Sequence, residues 1–156
     1  MAVEIERKFL VADTSAQAAW RAVPAVAYRQ GYLNRDKTRT VRVRIAGDAA
    51  FLTIKGVSVG ATRAEFEYAI PVVDAQALLA LCDGPLIEKT RHVLVYQGMT
   101  WEVDDFAGDN AGLVVAEVEL HSEVQAFEKP SWLGDEVTQD ARYFNSNLAS
   151  HPYAQW

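Results

Sequence analysis

The stretch TRTVRVRIAGDAAFLTIKG, residues 38–56, holds two alternating segments around a Gly47-Asp48 turn. Side chains alternate faces along a strand, so residues two apart share a face. The first segment therefore sets Arg42 and Arg44 against Val41, Val43 and Ile45. The second sets Lys55, with Thr53, against Leu52 and Ile54. A short Gly-Asp connection between two such segments predicts an antiparallel hairpin. One face of that hairpin is apolar, and the charge on the other is all of one sign.

The same alternation recurs outward from this hairpin. AVEIERKFLV (2–11), VAYRQGYLN (26–34), TRAEFEYAIP (62–71), PLIEKTRHVLVY (85–96), TWEVDDFAG (100–108) and LVVAEVELHS (113–122) join 38–47 and 50–56 to make eight predicted strands. Glu4, Glu6 and Lys8 share a face in the first, and Arg63, Glu65 and Glu67 in the fifth. Lys89 and Arg91 share one in the sixth, Glu102 and Asp104 in the seventh, and Glu117 and Glu119 in the eighth. Tyr28, Gln30 and Tyr32 share a face of the second strand, either as hydrogen-bonding groups or as packing. Helices are predicted over 15–23, capped by Asp13 or Thr14, and over 75–82, capped by Asp74. A third is predicted over 136–149, where Val137, Ala141, Phe144 and Leu148 share a face. Eight strands and three helices in 156 residues predict a single α+β domain over 1–156 with a closed or strongly curled sheet.

Composition narrows the function. The 15 Lys and Arg against 21 Asp and Glu give a net charge of −6, which argues against a nucleic-acid surface. One cysteine makes neither an internal disulfide nor a thiolate metal cage. Early charges in MAVEIERKFLV argue against a signal peptide. No apolar run approaches the roughly 20 residues of a membrane span. A soluble, cytoplasmic protein is expected.

The charged faces have two readings. They face water on a half-exposed sheet, or they face inward. Solvated faces tend to mix signs for cross-strand pairing, whereas EIE, RVR, EFE, EVD and EVE group them. Like charges two apart repel, and a bound ion or ligand offsets that repulsion. Turned inward, the strands enclose eight acids and seven bases, with the hydrophobic core outside, between apolar strand faces and helices. Carboxylates suit hard cations such as Mg²⁺ or Mn²⁺, while Arg and Lys suit phosphate oxygens. Two divalent ions would change a formal lumen charge of −1 to +3, which suits a triphosphate.

Glu4-Ile5-Glu6-Arg7-Lys8, TVRVR (40–44), FLTIKG (51–56), RAEFEYAIP (63–71), IEKTRH (87–92), WEVDDF (101–106) and AEVEL (116–120), in this order, resemble the CYTH superfamily, the triphosphate tunnel metalloenzymes. GDEVTQDARYFNSNLA (134–149) resembles the C-terminal helix of its short bacterial members. The resemblance implies a closed eight-stranded antiparallel β-barrel with helices outside and a C-terminal helix near one mouth. It implies that Lys8, Arg42, Arg44, Lys55, Arg63, Lys89 and Arg91 bind phosphate. It implies metal binding by Glu4, Glu6, Glu117 and Glu119, with Asp104 and Glu65 as further metal or water-positioning acids. Lys8, Glu65, Lys89 and Arg91 form the expected catalytic set, and Arg142 or Tyr143 is expected near the substrate.

The implied chemistry is in-line attack of water on a terminal phosphorus, with two Mg²⁺ or Mn²⁺ ions. Lys89 or Arg91 would assist the leaving group. Inorganic tripolyphosphate is the first substrate reading. A nucleoside or thiamine triphosphatase, a class IV adenylate cyclase and a non-catalytic polyphosphate- or nucleotide-binding module stay open. Nucleic acid and membrane are not expected partners, and the oligomeric state, a homodimer included, is open. Cys82, His92, His121 and His151 read as structural or exposed.

Overall fold

The computed structural model describes residues 3–156. Ala2, at the head of the first expected strand, lies outside them. The strands are β1 (Val3–Val11), β2 (Ala25–Asn34), β3 (Thr40–Ala46), β4 (Ala49–Lys55), β5 (Thr62–Ile70), β6 (Ile87–Tyr96), β7 (Met99–Phe106), β8 (Val114–Glu119) and β9 (Leu133–Glu136). They run in the order β5-β4-β3-β2-β6-β7-β8-β1, and β1 returns to β5. Among the described residues this closes an eight-stranded antiparallel barrel with β9 outside the ring.

β1 closes the ring by dividing one of its edges. One side of β1 pairs with β8 from Glu6 to Leu10. The other pairs with β5 at Val3–Ile5 and with β9 at Phe9 and Val11. The register fixes which side chains meet, because directly opposed residues share a face. Glu6 opposes Glu119, Lys8 opposes Glu117, Arg91 opposes Asp104 and Lys55 opposes Glu65. The charged faces therefore turn to one side, the lumen.

The helical segments depart from expectation. Residues 15–23 form a turn and a 3₁₀ helix at Ala19–Ala22. Asp13 Oδ1 accepts from the Ser15 N–H, and Trp20 donates from Nε1 to the Asp13 carbonyl at 2.8 Å. Burying Trp20 against the barrel sets this segment's path. α1 (Val72–Ala80) starts earlier than expected, with Pro71 at its N-cap and Asp74 inside its first turn. Pro71 follows β5 directly with φ −61°, a value proline presets. The third helix is broken. Glu136 ends β9, Asp140 caps a 3₁₀ helix at Ala141–Tyr143, Phe144 is extended, and α2 (Asn145–Ser150) follows.

Three apolar clusters hold these parts. One covers the outer faces of β1, β7 and β8 and includes Phe9, Trp101, Val103 and Val118. Trp20 of the 3₁₀ helix and the loop residue Trp132 cover it, in place of the expected α-helix. A second packs Ala75 and Leu79 of α1 on Val43 and Ala50. The third lies at the lumen end, where Tyr143, Leu148 and Ala149 meet Tyr32, Ile87, Phe106, Leu113 and Val115. That cluster was not expected, because it mixes inward-facing strand residues with the C-terminal segment.

Candidate active site

All the charged residues placed inward by alternation, except Asp104, line one cavity of about 350 Å³. Asp104 sits behind the wall, 2% exposed. Arg91 grips it with Nε to Oδ1 at 2.8 Å and Nη2 to Oδ2 at 2.9 Å, and Lys89 Nζ lies 2.7 Å from Oδ2. Burial opposes ionisation of Asp104, but Arg91 and Lys89 outweigh it and hold the carboxyl well below its usual range. Arg91 also reaches Glu102 at 2.6 Å.

Further round the wall, Lys55 Nζ joins Glu4 at 3.0 Å and Glu65 at 3.3 Å. Burial works against the Lys55 charge, yet Glu4, Glu6 and Glu65 raise its pKa. Arg42 Nη2 donates to Thr53 Oγ1 and lies 3.6 Å from Glu67. Its Nε is buried with no hydrogen-bond partner among the described residues. Arg63 donates from Nε and Nη2 to the Gly56 carbonyl.

Arg44, like Arg63, has no carboxylate within ion-pair reach among the described residues. It is the more deeply buried of the two, 9% exposed, and its Nε donates to the side-chain amide of Gln30, Oε1 at 2.9 Å. Burial, then Arg42 and Arg91, pull its pKa to about 10. Burial also pulls Lys89 to about 7, against the attraction of Asp104, with Arg91 and Arg44 adding to the fall. The Tyr28 ring lies under Arg44 at 4.9 Å and Arg91 at 4.7 Å, so its face offsets part of their repulsion.

The acids divide similarly. Glu117 lies 3.5 Å from Lys8. Burial opposes its ionisation, but Lys8 and Arg91 prevail and hold it at about 2. Burial first, then Glu117 and Glu4, push the Glu6 carboxyl well above its ordinary range.

The C-terminal segment adds groups that alternation does not reveal. Lys8 Nζ donates to the Tyr143 carbonyl at 3.1 Å and sits 5.5 Å from the Phe144 ring centre. Asn145 Oδ1 accepts from Lys89 Nζ at 3.0 Å and from Gln30 Nε2 at 3.2 Å. Arg142 is exposed and paired with Asp140 at 2.7 Å, away from the lumen lining. Tyr143 brings a carbonyl to the site while its ring packs in the end cluster. His92 packs edge-on against Trp20, and Cys82 Sγ meets the Leu78 carbonyl.

A CYTH domain matches residues 2–153. The chain belongs to the CYTH family. An inorganic triphosphatase of Acetivibrio thermocellus is 51% identical over 98% of this chain and 97% of its own length. One of Nitrosomonas europaea is 42% identical over 94% of this chain and 96% of its own. A crystal structure of an inorganic triphosphatase superposes with a TM-score of 0.66 at 40% identity, covering 96% of this chain and 95% of that one. The closed barrel is thus the triphosphate tunnel architecture of the CYTH family. No helix among the described residues is long and apolar enough to cross a membrane.

CYTH triphosphatases are in general metal-dependent, and the tunnel's donors bear on that. Among the described residues no three His, Cys, Asp or Glu side chains stand assembled as a metal site. The donor chemistry fits nonetheless. Glu6 and Glu119 are opposed oxygen donors, and Glu6 is a half-buried carboxylate whose charge is disfavoured by its desolvation and then by Glu117 and Glu4. A hard cation relieves that repulsion.

Proposed function

We propose that this CYTH protein is a divalent-metal-dependent hydrolase that removes the terminal phosphate of inorganic tripolyphosphate. The observation that carries the reading is a closed lumen in which buried Arg44 faces no acid while Glu6 faces another acid. Such a site holds a metal and a small polyanion together. The two inorganic triphosphatases matched over nearly their whole length support the same substrate.

Bound at Glu6, Glu117 and Glu119, with Glu4 adjoining, one or two Mg²⁺ or Mn²⁺ ions would neutralise phosphate charge and acidify a water. Arg42, Arg44 and Arg63 take phosphate oxygens through guanidinium N–H groups, with Lys8 and Lys55 as point charges beside them. Water attacks the terminal phosphorus in line, and the bond to the bridging oxygen breaks. Lys89 and Arg91, held by Asp104, stabilise the charge gathering on the departing pyrophosphate. Glu65, tied to Lys55, orients the attacking water. The protein works in the cytoplasm on this reading.

Phosphate release with Mg²⁺ or Mn²⁺ from tripolyphosphate, ATP, GTP, thiamine triphosphate and pyrophosphate tests it. Tripolyphosphate is expected to be hydrolysed fastest, and Lys8→Ala and Glu4→Ala to lose most activity while staying folded. Release from tripolyphosphate no faster than from ATP overturns the substrate assignment. Cyclic AMP production from ATP, or tight binding without turnover, overturns the hydrolase reading.

A further inference from the structure

Gln30 is fully buried, 0% exposed, on the inward face of β2. Its two polar atoms are both used. Oε1 accepts from Arg44 Nε at 2.9 Å, and Nε2 donates to Asn145 Oδ1 at 3.2 Å. The same Oδ1 accepts from Lys89 Nζ at 3.0 Å. Only one orientation of each amide serves all three bonds. The result is a continuous chain, Arg44–Gln30–Asn145–Lys89, that joins β3, β2, α2 and β6.

The choice of an amide matters because of what the other tunnel cations hold. Arg91 sits on Asp104 and Glu102, and Lys55 on Glu4 and Glu65. A carboxylate orients a buried cation well, but it also cancels the charge that an anion would use. An amide oxygen orients the donor and leaves the full positive charge in place. It also leaves the two Nη groups of Arg44 uncommitted, and on Lys89, which Asp104 already holds at 2.7 Å, it adds an acceptor without adding negative charge.

We propose that Gln30 and Asn145 form a positioning pair for the anion site: Gln30 fixes Arg44 through a neutral acceptor so that its charge stays available to the phosphate chain, and Asn145 holds Gln30 and the Asp104-paired Lys89 in register with it. The inference rests on the triphosphate reading of the tunnel and deepens it. It makes the C-terminal segment a structural part of the phosphate site, since Asn145 opens α2 and Leu148 anchors that helix in the end cluster.

The test compares Asn145→Asp with Asn145→Ala and Gln30→Glu with Gln30→Ala. Both acidic variants keep the shape and the acceptor oxygen toward Arg44 or Lys89 and add a negative charge beside the phosphate site; Gln30→Glu also gives up the donor to Asn145, so Asn145→Asp is the cleaner of the two. Tripolyphosphate affinity is measured by calorimetry in EDTA, and KM and kcat with Mg²⁺. Asn145→Asp and Gln30→Glu are expected to weaken affinity about tenfold or more, beyond the loss in the alanine variants, because an added like charge opposes the ligand. KM should rise more than kcat falls, and the unfolding midpoint of Asn145→Asp should match or exceed the wild type. If the amides only pack, the near-isosteric acidic variants will bind better than the alanine ones, and that order overturns the inference. The affinity readout needs no turnover, so wild-type binding without phosphate release would show failure of the hydrolase reading alone. If the wild type binds only with metal, the KM order of the same variants carries the test, and a wild type that neither binds tripolyphosphate in EDTA nor turns it over with Mg²⁺ overturns both.

Discussion

Glu6 of β1 and Glu119 of β8 face each other as a directly opposed pair, and neither makes an ion pair among the described residues. Burial, Glu117 and Glu4 raise the Glu6 pKa. Folding therefore keeps a proton on Glu6 that the unfolded chain releases once pH passes the ordinary Glu value. The contribution of Glu6 to stability is full in acid and is lost as pH rises through its raised value. In EDTA, the wild-type melting temperature should fall as pH rises above the ordinary Glu value, and the fall should be shallower in Glu6→Gln. Mg²⁺ or Mn²⁺ should restore the wild type at the alkaline end of that fall and the variant much less. Equal pH slopes for the two proteins in thermal denaturation would reject this account.

Asp104 should behave in the opposite sense. Its folded pKa is depressed, so its stabilisation is present above the ordinary Asp value and is lost as pH falls. Asp104→Asn leaves Lys89 and part of Arg91 buried without their counter-charge, a loss of about 3 kcal/mol at neutral pH. Urea unfolding should show that gap closing in acid. Tripolyphosphate should recover part of it at neutral pH, because the ligand supplies negative charge to the same cations. An unchanged midpoint would mean that Asp104 is not the counter-ion of this cluster.

Alternation along the strands revealed the inward set because a strand's period is two and one residue of slip would reverse every side chain. Arg42, Arg44, Lys89 and Arg91 could be placed from sequence for that reason. The pairing partners could not, since parity says which side a residue faces and not which neighbour it meets. Asp104 thus read as a metal acid, and the structure sets it against Arg91 and Lys89. β9 escaped because LGDE is short and polar, and its pairing depends on the edge of β1 that β5 leaves free. Asn145 escaped because helical spacing over 136–149 implied one docked helix. The extended Phe144 breaks that helix and brings a side-chain amide to Lys89.

Gly31 has a role that no charge pattern signals. A Cβ there would lie 2.6 Å from Leu86 Cδ2 and 2.9 Å from Cys82 Cβ and Sγ. Cys82 follows α1 and cannot withdraw without moving that helix end. Gly31→Ala should cost about 1–3 kcal/mol through overpacking. Chemical denaturation measures it, and KM for tripolyphosphate in the folded fraction should not change. A stable Gly31→Ala protein would show that this β2–α1 contact is slack.

Leu148 joins stability to the site. It is 1% exposed in the end cluster and sits one helical turn after Asn145 on α2. Leu148→Ala should cost about 3 kcal/mol from lost burial and the cavity left behind. Leu79→Ala on α1 makes the same chemical deletion in a cluster away from the tunnel and should cost a similar amount. The two variants should part in kinetics. Loosening α2 releases Asn145 from Lys89, so Leu148→Ala should raise KM for tripolyphosphate several-fold at a temperature where both variants are folded. Leu79→Ala should leave KM at the wild-type value. Equal KM values for the two variants would show that the C-terminal segment holds the barrel end closed without tuning the phosphate site.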